Sequence, residues 1–176
     1  FYKDGVAGAD ENLCGQLFEI TQDILGGAGL PAYEISNHAQ PGHECSHNLV
    51  YWRGEDYVGL GPGAHGRLTK TGSSGALETE ATQEIRLPEK WLEAVQTKGT
   101  GTQKRTKLRF ENRLDELVLM GLRLSEGVDT DRFFRLTGRQ LFDHLNEDKL
   151  NHLMNNGFLN SSSKYLRLTS SGLRCL

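Results

Sequence analysis

Cysteine is scarce in this 176-residue chain: Cys14, Cys45 and Cys175 are widely spaced and form no CxxC pair. That spacing argues against a disulfide framework and fits a reducing compartment. It also excludes an iron–sulfur cluster held by this chain alone, since such clusters need several thiolates brought close together. Long apolar runs are missing too. None approaches the roughly 18 residues of a membrane span, and the start lacks the charged-then-apolar shape of a signal peptide, so a soluble chain is expected. Neither charge sign dominates: 20 Lys and Arg oppose 23 Asp and Glu, a net of −3, which gives no general pull towards nucleic acid or anionic membrane. What the chain has in excess is glycine, 21 residues, roughly 12% where about 7% is usual. The first residue is Phe1 rather than Met, and a fragment of a longer protein is expected.

The length suits one domain or two small ones. Residues 9–26 read as an amphipathic helix, with Leu13, Leu17, Ile20 and Ile24 on one face and Gly26-Gly27 as the stop. A turn at Gly29 and Pro31 leads into a short strand, Ala32 to Ser36. Helix, turn and strand in that order look like a piece of a β/α-layered fold. Residues 37–56 lack periodicity but are dense in His, Asn, Gly and aromatics, a composition that marks a functional stretch rather than disorder. Asp56 to Leu60 is a second strand candidate, and 67–70 with 76–82 a hairpin across Thr71 to Gly75. Pro88 opens a helix bearing Trp91, Leu92 and Val95. The Gly/Thr-rich stretch 97–103 and the basic Lys104, Arg105, Lys107 and Arg109 read as a solvated linker, since no aromatic interleaves them for nucleic-acid stacking. Beyond it, Leu114, Leu117, Val118, Gly121 and Leu122 give a helical stripe over 111–124. Asp129 or Thr130 caps a short helix carrying Phe133 and Phe134. One or two helices then end at Gly157, and Phe158-Leu159 with Tyr165 to Leu168 form a terminal hairpin. This predicts a winged-helix-like domain, but residues 110–176 hold nine Lys and Arg against nine Asp and Glu. DNA-binding modules are normally basic, so a structural or docking role is favoured.

Four of the six histidines, His38, His43, His47 and His65, fall within 28 residues. His43, Cys45 and His47 alternate, so on a strand three zinc ligands would share a face. A structural zinc needs a fourth ligand, however, and polar loop residues are the alternative. In His47-Asn48-Leu49-Val50-Tyr51-Trp52 an imidazole beside two large aromatics suits axial ligation and stacking of an iron porphyrin. It equally suits a core corner with satisfied polar tips. The run Gly59 to Gly66, including Gly61, Gly63 and His65, is either a ligand-facing turn at a strand end or a simple tight turn. It is neither a GxGxxG nor a phosphate-binding P-loop. Glu34, Ser36 and Asn37 either face the same pocket or make ordinary strand-end hydrogen bonds.

Taken together, Pro31-Ala32-Tyr33-Glu34-Ile35-Ser36-Asn37-His38-Ala39, Pro41-Gly42, His47-Asn48-x-x-Tyr51-Trp52-Arg53-Gly54 and Asp56-Tyr57-x-Gly59-x-Gly61-Pro62-Gly63-Ala64-His65-Gly66-Arg67 resemble the HemW family. That family is related to oxygen-independent coproporphyrinogen III oxidase, HemN. Arg113 to Arg123 and Gly157 to Gly172 are similar to the family's terminal domain. The resemblance implies an α/β fold (α+β as a fragment). Residues 1–107 would be the C-terminal part of a partial (β/α) radical S-adenosylmethionine (SAM) barrel, and 108–176 a small winged-helix-like helical domain. It implies heme as the ligand, with His47 linked to it and Asn48, Tyr51 and Trp52 shaping the site, and Glu34, Ser36, Asn37, Gly61, Gly63 and His65 as candidate SAM contacts. The intact protein would hold SAM and a [4Fe-4S] cluster, whose CxxxCxxC ligands are absent here, so this chain alone is expected to lack radical activity. Heme delivery to respiratory proteins at the membrane, from the cytoplasm, is the implied role. Coproporphyrinogen III oxidation and partner docking alone are the alternatives, and half a barrel is expected to self-associate.

Overall fold

The computed structural model describes residues 8, 10–73 and 75–176. Ala9 and Ser74, which the sequence reading puts in the first helix and the hairpin turn, lie outside them. Helix α1 (Glu11–Gly27) begins where the Asp10 carboxylate accepts the Leu13 N–H at 2.8 Å, an N-cap that satisfies one of the helix's free donors. Its apolar face is solvent-facing: Leu13, Leu17, Ile20 and Ile24 are 45%, 51%, 53% and 65% exposed, so the stripe that periodicity assigns to a core is left uncovered among the described residues. Strand β1 (Ala32–Glu34) follows and turns back into β2 (Asn37–His38).

The irregular stretch contains a seven-residue helix, α2 (Ser46–Trp52). This removes the alternating-face argument for zinc: Cys45 is the helix N-cap, and no group of three or more potential metal ligands occurs among the described residues. The expected strand at Asp56 to Leu60 is likewise corrected. Only Tyr57 bridges, to Arg67, because the chain doubles back so tightly that a Cβ on Gly59 would sit 2.2 Å from the His65 carbonyl oxygen.

An antiparallel sheet then forms from β3 (His65–Thr71), β4 (Leu77–Glu84) and, after helix α3 (Pro88–Lys98), β5 (Thr102–Lys107), with β4 central. The basic stretch is therefore an edge strand and not a linker. Its charges cross to β4, where Arg105 meets Glu80 at 2.8 Å and Lys107 meets Glu78 at 2.6 Å, the cross-strand pairing that fixes register.

The main core lies in the remainder: α4 (Phe110–Gly121), β6 (Val128–Asp129), α5 (Thr130–Thr137), α6 (Leu141–His144), α7 (Glu147–Asn155), β7 (Leu159–Ser161), β8 (Tyr165–Leu168) and α8 (Ser170–Leu173). Leu114, Leu117, Val128, Phe133, Leu141, Leu159 and Leu166 form one buried cluster. The sheet order β6-β8-β7 is antiparallel, so the terminal hairpin gains a third strand from the segment before α5. Asp129 caps α5 through the Arg132 N–H at 2.6 Å. Among the described residues no helix is long and apolar enough to cross a membrane.

An uncovered apolar stripe drives association. Light scattering should show concentration-dependent self-association that Ile20→Lys reduces. A strictly monomeric chain at all concentrations would contradict this.

Candidate functional site

Glu34 ends β1 with its side chain turned inward; the residue is 1% exposed. The tight β1–β2 turn, in which Glu34 pairs with Asn37, brings Ser36 and Asn37 onto it. Its Oε1 accepts from the Ser36 N–H at 2.9 Å, the Ser36 hydroxyl at 2.8 Å and the Asn37 amide. Burial alone would raise the carboxyl pKa, but these hydrogen bonds and the Arg123 charge outweigh it and hold it below 4.5. The other oxygen, Oε2, is buried without a hydrogen-bond partner and faces Arg123 Nη2 at 3.7 Å.

The backbone on either side binds the same segment. Tyr33 C=O accepts from the Ser125 N–H at 3.0 Å and its hydroxyl at 3.2 Å, and the Ile35 N–H donates to Arg123 C=O at 3.2 Å. Glu34 pairs antiparallel with Leu124. Strand β1 is thus extended sideways onto the chain that leaves α4.

Helix α2 fastens to that same segment at its C-terminal end. The Arg123 guanidinium lies over the Trp52 ring at 4.5 Å, a cation–π contact. Trp52 Nε1 and Arg123 Nε are, with Glu34 Oε2, buried polar atoms lacking a hydrogen-bond partner. Arg53 donates to Glu126 through two nitrogens, each at 3.0 Å, and Arg132 adds a third bond at 3.1 Å. Burial pushes the Glu126 carboxyl up, yet the paired guanidiniums of Arg53 and Arg132 leave it lowered overall. Gly54 has φ +68°, and a Cβ there would fall 2.0 Å from Leu117 Cδ2. The buried Arg113 donates to the Gly54 carbonyl.

The other end of α2 faces out. His47 and Tyr51 are one turn apart, which stacks them on one side of the helix. Their rings meet edge-to-face at 4.6 Å, and the Tyr51 hydroxyl shares a hydrogen bond with His47 Nε2 at 3.0 Å. Tyr57 packs edge-to-face on Tyr51 at 4.3 Å, and burial raises the Tyr57 hydroxyl pKa. Asn48 donates to the Tyr33 hydroxyl at 3.1 Å, tying the helix to β1. His47 itself is exposed. Between Trp52 and the helices beneath it lies a cavity of about 20 Å³, also lined by Leu117, Val128 and Phe133. That is room for about one water molecule. That cavity does not admit a flat, porphyrin-sized ligand.

The structure brings His47, Asn48, Tyr51 and Trp52 together with Glu34, Ser36 and Asn37 through Tyr33 and Arg123. Gly61, Gly63 and His65 belong to a different neighbourhood, the turn before β3. Gly61 and Gly63 have φ +102° and +73°; the Gly63 N–H donates to Ile85 C=O at 2.9 Å, and exposed His65 pairs with Gln83. Sequence reasoning missed Arg53, Arg113, Arg123 and Glu126 as site residues. The available signal was Arg113 and Arg123 flanking the apolar stripe of α4, where a charge is costly unless it reaches a partner.

Comparison with known proteins adds the following. Residues 108–175 match the HemN C-terminal domain family. The chain is 33% identical over 171 residues to the mitochondrial radical S-adenosyl methionine domain-containing protein 1 of Bos taurus, covering 95% of this chain and 38% of that protein. It is 31% identical to the heme chaperone HemW of Bacillus subtilis, covering 89% of this chain and 39% of that protein. The solved structure of Escherichia coli coproporphyrinogen III oxidase (HemN), a radical SAM enzyme, shares its fold with a TM-score of 0.60 at 17% identity, over 89% of this chain and 37% of that one. The chain thus spans less than half the length of these relatives.

Two outcomes test the geometry. Gly54→Ala should lower unfolding stability by about 1–3 kcal/mol, from strain at positive φ and overpacking against Leu117; unchanged thermal stability would refute the close approach. Because the Glu34 carboxyl is held below its ordinary 4.5, its ionised form stabilises the fold above that pH, and this stability is lost as pH falls through the lowered value. The Tm advantage of the wild type over Glu34→Gln should therefore shrink between neutral pH and about pH 3. A constant gap would contradict it.

Proposed function

From the premise that this chain belongs to the HemW- and HemN-related radical SAM proteins, carrying their HemN C-terminal domain at 108–175, we propose that it binds heme on the outward face of α2 and serves its delivery to respiratory proteins at the membrane. The observation that carries this reading is the exposed His47 imidazole on a helix whose opposite end is fastened to the protein core. Imidazole is a good axial ligand for heme iron, and the edge-to-face pair of Tyr51 and Tyr57 places aromatic surface beside it. Asn48 and Trp52 act in this reading as fixings: Asn48 holds α2 to Tyr33, and Trp52 holds it to Arg123. For Glu34, Ser36 and Asn37 we assign the matching task of fixing Arg123. Supporting the reading, relatives such as the Bacillus subtilis protein are named heme chaperones.

A coproporphyrinogen III oxidase reading rests on the structural likeness to HemN, at an identity that speaks for fold alone. Radical SAM chemistry needs a cluster, and Cys14, Cys45 and Cys175, all exposed and in separate elements, do not make a cluster-ligating set.

Titration of ferric heme into the chain and into His47→Ala, followed by absorbance, tests the proposal. The wild type should bind with the spectrum of imidazole ligation, and the variant should lose that spectrum and at least tenfold in affinity, on the order of 1.4 kcal/mol. Equal binding by both proteins would remove His47 from the site.

A further inference from the structure

In the described geometry the imidazole nitrogen that heme iron needs is already in use. Nε2 is the ring nitrogen farther from the helix backbone, so it is the one a flat macrocycle can reach without meeting the main chain. That nitrogen is hydrogen-bonded to the Tyr51 hydroxyl at 3.0 Å. In either tautomer the arrangement occupies it: as an acceptor it spends its lone pair on the hydroxyl, and as a donor it carries the proton. Iron reaches Nε2 only when the Tyr51 hydroxyl moves off it, against the edge-to-face packing of the Tyr51 ring on His47 at 4.6 Å and on Tyr57 at 4.3 Å. The pair is also reset by the helix itself, whose one-turn spacing returns the two side chains to each other whenever the site empties.

We infer that Tyr51 is the release residue of this site: its hydroxyl competes with iron for His47 Nε2 and so weakens retention of heme enough for hand-over. The inference rests on the heme reading of α2 and adds to it a direction for each residue. On binding, the Tyr51–His47 hydrogen bond breaks, the ring proton resides on Nδ1, and an iron–nitrogen bond forms from Nε2 of the neutral imidazole in place of the iron's solvent ligand; on release the reverse exchange occurs. No electron moves, and the phenolic proton stays on Tyr51. The competing bond is neutral and on the protein surface, so its weight is modest, in keeping with a carrier that must give up its cargo rather than store it.

Tyr51→Phe is the clean test, since it keeps both ring contacts and removes only the hydroxyl. Heme affinity should rise by roughly two- to tenfold, the worth of one such hydrogen bond. Transfer of the bound heme to excess apomyoglobin should slow by a similar factor, with the imidazole-type spectrum retained. Affinity equal to or weaker than wild type would overturn the inference while leaving the heme reading standing. Loss of the wild-type spectrum in Tyr51→Phe would overturn it as well, by making Tyr51 itself the ligand. Absence of heme binding by the wild type would overturn both.

Discussion

The buried carboxylate of Glu34 is the constraint around which the rest is arranged. A carboxylate that is 1% exposed must be compensated, because desolvating a charge is expensive. The larger part of the compensation is local, from the Ser36 and Asn37 donors folded over one oxygen. A smaller part comes from 89 residues further along the chain, where the Arg123 charge faces the second oxygen at 3.7 Å. Breaking a fully buried ion pair costs on the order of 3–5 kcal/mol. The figure here is smaller, because Arg123 is 32% exposed. What the pair contributes above all is placement. The guanidinium that faces Glu34 also lies over Trp52, and Trp52 ends the helix that carries His47.

Placement by a distant charge explains which parts of the molecule were legible in the sequence. Local patterns were readable where the driving force is local. The Asp129 cap, Pro88 at the start of α3, the α4 stripe and the terminal hairpin all follow from turn chemistry and periodicity. The basic edge strand β5 was not, because its stability comes from Glu78 and Glu80 on a partner strand. Helix α2 was hidden for a similar reason. Its seven residues include β-branched and aromatic side chains of indifferent helix propensity, and it is held by tertiary contacts from Arg53, Gly54 and Trp52. Of the candidate site, the residues of the HNxxYW run and of the β1–β2 turn were visible as residues. Their connection was not, because Arg123 and Glu126 lie in a different part of the chain.

The same arrangement divides the labour along α2. Its C-terminal end is held by Trp52, Arg53 and Gly54 against the HemN-type C-terminal domain, while its N-terminal turn presents His47 to solvent with Tyr51 one turn on beside it. A carrier needs both properties: a ligand held where a partner can reach it, and a binding bond weak enough to be exchanged. The antiparallel sheet β3-β4-β5 joins this assembly through Arg67, whose carboxylate partner Glu116 lies on α4 at 3.1 Å. The site helix is therefore referred to the C-terminal domain from two sides.

Amide hydrogen exchange on the wild type and on Arg123→Ala tests most directly whether a distant ion pair holds the site helix. The account predicts faster exchange at the α2 amides of Leu49 to Arg53 in the variant, with α7 and the β7–β8 hairpin unchanged. Unchanged protection of α2, or a uniform loss across the chain, would contradict it.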